Sequence, residues 1–175
     1  MSPQHGFSLI EVVCVIAIVA IGSSIATPSF TSAIAKSRHQ THEKELLHAV
    51  SLIRTAAVSQ HTFTTLCASQ DQEQCDENKT WENHYIAFVD PNKNGKRDVD
   101  EKMLYNFTLP ENAGKISWAS ARQLPYLQFN PMGYTNMSNG TFTYCQPKDK
   151  LASKIILNLA GRAYVKKAEF NKACE

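Results

Sequence analysis

The sequence lacks the motifs that carry the common enzyme chemistries. It contains no nucleophile elbow, no phosphate-binding P-loop, no dinucleotide-binding glycine fingerprint and no His-Glu-x-x-His zinc motif. Cys-x-x-Cys pairs are also absent and the histidines lie away from the cysteine pairs, which argues against a zinc site. We therefore expect a protein that is not an enzyme, with no catalytic residue and no resident cofactor.

Charge is scarce near the N-terminus. From Phe7 to Ala26 the one charged residue is Glu11, and the preceding MSPQHG has no lysine or arginine, unlike an ordinary secretory signal. About twenty apolar or small residues, at a rise of 1.5 Å each, reach the ~30 Å of a bilayer core. We expect a membrane-spanning helix over residues 7–32. Glu11 then needs a cationic partner, because a carboxylate in hydrocarbon costs about 2.5–3.5 kcal/mol.

The helical periodicity continues beyond Pro28, which is expected to kink the helix. The second, amphipathic part extends to about residue 60, and its histidines are expected on the surface. Its apolar stripe consists of Ile34, Leu46, Leu47, Val50, Ile53, Ala57 and Val58.

After residue 60 the sequence changes to short segments rich in β-branched and aromatic residues, separated by Gly, Pro, Asn and Asp. The predicted fold is α+β: a long N-terminal helix packed on an antiparallel, β-sandwich-like domain. Residues 33–175, which include the amphipathic part of the helix, are expected to form this domain.

Five cysteines are present, and Cys14 lies within the apolar stretch. The other four form an even set after that stretch, which indicates two disulfides in an oxidising compartment. Three pairings are possible. Sequence proximity and the chain-end position of the last cysteine favour Cys67–Cys75 and Cys145–Cys174.

The segment GFSLIEV, residues 6–12, resembles the class III signal of type IV pilins and type II secretion pseudopilins. The resemblance implies that residues 1–6 are a leader and that a prepilin peptidase cuts between Gly6 and Phe7 and methylates Phe7. It implies that Glu11 pairs with the N-terminal amine of a neighbouring subunit during assembly. Pro28 matches a common kink position of pilins.

The remainder of the chain is similar to the GspH/FimT group of minor pilins and pseudopilins. The similarity rests on a cysteine pair before Trp81, on FVDPNKNGKRDVDEKML and FNPMG, and on AGR followed by a terminal cysteine. It implies a minor type IV pilin in the bacterial inner membrane before assembly and then in the pilus, near its tip, with other minor and major pilins as partners. A GspH-like pseudopilin of type II secretion and a DNA-binding receptor pilin are the alternatives.

The stretch DPNKNGKRDVDE, residues 90–101, matches the template of an EF-hand calcium loop. The matching ligand positions are Asp90, Asn92, Asn94, Asp98 and Glu101. The flanking segments are typical of strands and not of the helices that an EF-hand needs. A plain turn is therefore favoured, and calcium binding, with a calcium-controlled adhesin or switch, stays open.

The C-terminal region from Cys145 onward holds seven Lys or Arg residues against three Asp or Glu. DNA-uptake pilins of the FimT type carry a Gly-Arg-x-Arg motif in this region, to which Gly161 and Arg162 correspond. Tyr164 stands where the second arginine would lie, and Lys166 and Lys167 follow. Alternation along a strand predicts Arg162, Tyr164 and Lys166 on one face and Lys167 on the other, with DNA or only solvent as the partner.

Overall fold

The computed structural model describes residues 8–77, 81, 84–110 and 113–174, without the side chains of residues 22–29. The chain divides into two compact units between Arg38 and His39. The described helices and strands are, in order, α1 (Leu9–Gln60), β1 (Thr64–Ala68), β2 (His84–Val89), β3 (Met103–Thr108), β4 (Lys115–Ser120), β5 (Tyr126–Phe129), β6 (Gly140–Gln146), β7 (Leu151–Leu157), β8 (Ala163–Ala168) and α2 (Phe170–Ala173). A 3₁₀ turn at Pro147–Asp149 joins β6 to β7. The predicted α+β class, with one long helix and antiparallel strands, is confirmed.

The strands form two antiparallel four-stranded sheets. Sheet A has the order β3-β2-β1-β5, and sheet B has the order β4-β6-β7-β8. In β1 every residue is buried, because one face of sheet A contributes Leu66 to the main core while the other face contributes Cys67 to a second, smaller core. In β4 of sheet B, buried and more accessible residues alternate, so one face of this sheet looks outward.

The part of α1 from His39 onward buries one stripe against the main core. Leu46, Val50, Ile53 and Ala57 of the predicted stripe are at most 2 % exposed. Aromatic residues from the sheets and from the segment before β2 complete this core, among them Trp81, Trp118, Phe129 and Phe142. The inclusion of Val58 in the stripe was wrong: it is 44 % exposed, because it follows Ala57 by about 100° around the helix.

The expectation that the helical histidines lie on the surface was wrong for His39, which is 7 % exposed. Its ring stacks on the Tyr144 ring of β6 with the centroids 4.5 Å apart, and its Nε2 is hydrogen-bonded to the Ser153 hydroxyl of β7 at 3.2 Å. Burial lowers the pKa of His39, and interactions with Gln146 and Glu43 oppose this in part. A buried imidazole is tolerated here because the Ser153 hydroxyl of sheet B is hydrogen-bonded to one of its nitrogens.

Candidate functional site

The N-terminal half of α1, residues 9–38, displays large aliphatic side chains. Leu9 is 85 % exposed, Ile10 66 % and Ile18 70 %. Glu11 lies in the first turn and is also exposed, and its backbone N–H donates to the Ser8 carbonyl at 3.1 Å. Within the described chain, this segment therefore combines a carboxylate with an apolar surface.

The predicted processing residues, Gly6 and Phe7, lie outside the described residues. Pro28 belongs to α1, which continues through it to Gln60, and its side chain is also outside the description. No helix in the described part of the chain is both long enough and apolar enough to span a membrane. The membrane segment over residues 7–32 and the kink at Pro28 stay predictions.

The outward face of sheet B carries part of the basic C-terminal region. Lys166 of β8 stands opposite Lys154 of β7, and Tyr164 stands opposite Ile156. Lys167 stands opposite the buried Ser153, so it belongs to the other face, although it is itself exposed at this edge strand. The register thus places Tyr164, Lys166 and Lys154 on one surface, as the alternation predicts for β8.

Arg162 precedes β8 and is exposed, and its backbone N–H donates to the side-chain oxygen of Asn158 at 3.0 Å. Gly161 has a structural reason to be glycine. Its φ is +73°, and an added Cβ would lie 2.2 Å from the Gly133 carbonyl oxygen. The glycine of the AGR segment is therefore explained by the fold, and Arg162 after it faces solvent.

Arg54 is a residue that the sequence reasoning missed. From α1 its Nε donates to the Gly133 carbonyl at 3.0 Å and its Nη2 donates to the Ala160 carbonyl at 3.2 Å. It thereby links the helix to two turns, the second of which leads into Arg162. The sequence signal that could have revealed it is a single arginine next to Ile53 in the apolar stripe. Hydrogen bonding to backbone carbonyls explains an arginine at this position.

The turn between β2 and β3 begins at Asp90, which is fully buried. Its Oδ2 accepts hydrogen bonds from the Thr65 hydroxyl and the Gln128 amide, both at 2.7 Å, and from the Gly95 backbone N–H at 3.1 Å. One carboxylate therefore ties the turn to β1 and β5. The flanking segments are strands, as predicted, and in the described residues no three His, Cys, Asp or Glu side chains are grouped as metal ligands.

The structure contains both disulfides in the pairing that sequence proximity favoured. Cys67–Cys75 has a Cα–Cα distance of 5.5 Å and holds the acidic loop after β1. Cys145–Cys174 has a distance of 5.8 Å and fixes the C-terminus to β6. Both bonds belong to the second compact unit, and Cys14 is free and exposed.

Two family models match this chain. The prokaryotic N-terminal methylation motif matches residues 1–27, and the type II transport protein GspH matches residues 44–161. The second match covers most of the β domain and the C-terminal part of α1.

The chain belongs to the GspH family.

Solved structures support the same assignment of the fold. Two crystal forms of the type IV minor pilin FimU from Pseudomonas aeruginosa are similar, with TM-scores of 0.54 and 0.55 and identities of 19 and 20 %. They cover 73 and 79 % of this chain and 91 and 93 % of the FimU chain. No curated protein matches the chain in sequence.

Membership in this minor pilin and pseudopilin family has three consequences. Its members are structural subunits and not enzymes, which agrees with the missing catalytic motifs. They assemble with other pilins into a filament, so the protein is associated with a pilus or a related filament. The methylation motif contains Gly6, Phe7 and Glu11, the residues on which assembly is expected to depend.

Proposed function

We propose that this chain is a minor type IV pilin that a prepilin peptidase processes after Gly6 and that is built into the pilus near its tip. Before assembly, residues 7–32 anchor it in the bacterial inner membrane, with the β domain in the periplasm. The exposed aliphatic side chains of the N-terminal half of α1 carry this proposal. A helix that is apolar on all sides needs lipid or other helices around it.

Glu11 makes the contact between the helices of neighbouring subunits specific. Cleavage after Gly6 creates an amine at Phe7, and Glu11 follows four residues later, a separation that in a helix places two residues on one face. In a bundle of such helices, the carboxylate of one subunit meets the amine of another. A buried charge that lacks its partner costs about 3–5 kcal/mol, so correct stacking of subunits is strongly favoured.

The alternative is a GspH-like pseudopilin of type II secretion. The two disulfides favour the pilus, because an extracellular filament gains more from covalent cross-links than a periplasmic one. The similarity to two FimU crystal structures supports a shared fold, which both filament types accommodate.

The test is mass spectrometry of the full chain recovered from the membranes of its native host and from sheared surface filaments. We expect the filament form to begin at methylated Phe7. The control Gly6→Val, which blocks cleavage, is expected to leave an uncut chain in the membrane and none in filaments. Filaments that contain a chain beginning at Met1 contradict the proposal. A mature chain that secretion needs but surface filaments lack indicates the pseudopilin.

A second function, DNA binding during uptake, is favoured by the outward face of sheet B. This face brings Lys154 and Lys166 opposite each other, next to the half-exposed ring of Tyr164, with Arg162 at the start of the strand. Lysines neutralise phosphates, and an exposed tyrosine stacks on unpaired bases. The missing second arginine of the FimT motif is thus replaced by a tyrosine and by a lysine from the neighbouring strand.

DNA binding is tested with the full chain in detergent at two salt concentrations. We expect an affinity that falls with salt and that weakens further in Arg162→Ala and Lys166→Ala. Lys167→Ala is the matched control, because this lysine has the same charge and strand but lies on the opposite face. An equal loss in all three variants would indicate general attraction to a basic domain and not a site on this face.

A further inference from the structure

Two tight turns lie side by side in the β domain, next to the last turns of α1. The first, residues 130–134, follows β5, and the second, residues 158–162, joins β7 to β8. An asparagine opens each turn. The side-chain oxygens of Asn130 and Asn158 each accept the backbone N–H of the residue four positions later, at 3.0 Å. Each turn therefore has its backbone fixed by its own first side chain.

Hydrogen bonds also join the two turns to each other and to α1. The Thr135 backbone N–H donates to the Leu159 carbonyl at 3.1 Å. Arg54 of α1 donates to the Gly133 carbonyl of the first turn and to the Ala160 carbonyl of the second. Residues 130–134 and 158–162 are thus held as one surface, here named the paired turns.

The paired turns present large apolar side chains to solvent. Met132 is 78 % exposed and Leu159 is 60 % exposed. Tyr134 is half-exposed, and so is Val58 of α1, whose Cγ2 lies beside Gly133. An exposed apolar cluster on a fixed backbone loses little conformational freedom when it binds, so this end of the domain is a candidate docking surface.

The charges around the paired turns are positive. Arg162 is exposed in the second turn, and Lys166 is exposed on the strand that follows. Asp149 and Glu169 lie beyond the other ends of β7 and β8, about 20 Å along the strands. Asp90 is fully buried and hydrogen-bonded. The stretches that form this end of the domain contain no Asp or Glu; they are residues 54–66, 126–146 and 151–168. An anionic partner fits this surface.

We propose that the paired turns dock onto the surface of an anionic phospholipid bilayer. Met132 and Leu159 enter the boundary between headgroups and acyl chains, and Arg162 and Lys166 remain among the phosphates. Tyr134 suits the same boundary, because its ring is apolar and its hydroxyl is polar. The surface therefore matches both properties of such a bilayer, its apolar interior and its negative charge.

The size of the surface favours a lipid over a protein as the partner. A stable protein interface buries about 800 Å² and about 20–30 residues on each side. The paired turns offer four large apolar side chains, including Val58 of the adjacent helix, on two narrow loops. A bilayer needs no complementary shape, and binding to it strengthens with the apolar area buried and with the attraction of cations to anionic lipids.

This inference goes beyond the proposed functions and can fail independently of them. The DNA-binding proposal shares Arg162 and Lys166 with it but makes no use of Met132 or Leu159. DNA is bound through phosphates and base stacking. A variant that loses only the two apolar side chains should therefore retain its affinity for DNA.

The test places the full chain in nanodiscs of neutral phosphatidylcholine, so that its apolar helix segment is enclosed before vesicles are added. Flotation then measures binding to vesicles of phosphatidylcholine alone or of phosphatidylcholine mixed with phosphatidylglycerol. We expect binding to the mixed vesicles only, and we expect it to weaken with salt. No binding to the mixed vesicles, or equal binding to both kinds, would overturn the proposal.

The deciding variant combines Met132→Ser with Leu159→Ser. It should weaken binding to the mixed vesicles about tenfold or more, with an unchanged unfolding temperature, because Asn130, Asn158 and Arg54 still hold the turns. The matched control is Val99→Ser, which removes an apolar side chain that is 92 % exposed on another turn and should change nothing.

Two further results would overturn the proposal. Equal vesicle binding by the double variant and the unchanged chain would show a general attraction to basic residues. Absence of the double variant from sheared filaments, with no vesicle binding by the unchanged chain, would show that the paired turns contact a neighbouring subunit and not a lipid.

Discussion

The two halves of α1 differ in the exposure of their apolar side chains. In the N-terminal half, Leu9 and Ile18 are 85 and 70 % exposed. In the C-terminal half, residues 39–60, Leu46 and Ile53 are at most 1 % exposed. The same helix therefore contains one segment whose apolar residues contact the chain's own core and another whose apolar residues face outward.

The difference shows which contacts the chain provides for itself. The C-terminal half is amphipathic, so a single core buries its apolar stripe and charged residues occupy its other faces. From Leu9 to Ile21 the N-terminal half exposes large apolar side chains on all sides of the helix, and their burial requires partners on every side. We therefore expect changes in the C-terminal half to affect folding and changes in the N-terminal half to affect assembly.

The largest effect is expected for a truncation in the core. Ile53→Ala should lower the free energy of unfolding by about 2–5 kcal/mol, because Ile53 is fully buried and the change leaves a cavity. Chemical denaturation of the full chain in detergent, followed by the fluorescence of the buried Trp81 and Trp118, measures it.

The matched control is Ile18→Ala in the exposed half. It removes the same atoms, and the free energy of unfolding should change by less than about 0.5 kcal/mol. Equal losses for Ile18→Ala and Ile53→Ala would show that both halves contribute to the same folding unit.

An intermediate effect is expected for Arg54. Arg54→Met retains the apolar stem but loses the two hydrogen bonds to the Gly133 and Ala160 carbonyls. We expect a loss of about 1.5 kcal/mol in unfolding free energy, because hydrogen bonds from a charged donor contribute about 1.5–3 kcal/mol and this group is partly exposed. Arg54→Lys should recover only part of it, because one ammonium cannot match both carbonyls. Full recovery by lysine would show that charge alone matters.

The smallest effect is a dependence on pH through His39. Its folded-state pKa is lowered by burial, so the unfolded chain binds more protons than the folded one. The contribution of His39 to the free energy of unfolding is complete above the pKa of the unfolded chain, about 6.5. It is lost as the pH falls through the pKa of the folded chain. The groups around it are Glu43 and His42 on the helix and Tyr144, Gln146 and Ser153 on sheet B.

The measurement is denaturation of the unchanged chain and of His39→Phe between pH 7.5 and 5. Phenylalanine retains the stacking on Tyr144 but does not titrate, so this variant should lose less stability on acidification. The control His48→Gln, an exposed histidine of the same helix, should follow the unchanged chain. If His39→Phe also follows it, the acid sensitivity arises at other groups.

The sequence predicted the elements well because their signals are local. The apolar spacing from Leu46 to Ala57 predicts the buried helical face, and the β-branched segments coincide with strands β1–β8. The favoured disulfides also needed only proximity along the chain. The family followed from a short motif at Gly6 to Glu11 and was confirmed over residues 44–161.

The burial of polar residues, which the sequence did not reveal, depends on contacts distant in the chain. His39 is buried because Tyr144 and Ser153 reach it from sheet B, more than 100 residues later. Asp90 is buried because Thr65 and Gln128 donate to it from two other strands. A polar residue in a turn or on a helix is usually exposed, so only the fold shows these exceptions.

The role of Glu11 in assembly can be measured by the incorporation of Glu11→Gln into filaments, with Glu45→Gln as the control. Glu45 is an exposed glutamate in the C-terminal half, where it pairs with His42, and such surface pairs contribute about 0–1 kcal/mol. The amount of each variant in sheared surface filaments, relative to its amount in the membrane, is the measurement. We expect at least a tenfold decrease for Glu11→Gln, because the amine of the neighbouring subunit stays buried and unpaired at a cost of about 3–5 kcal/mol. We expect no decrease for Glu45→Gln. Equal incorporation of the two variants would contradict a role of Glu11 in assembly.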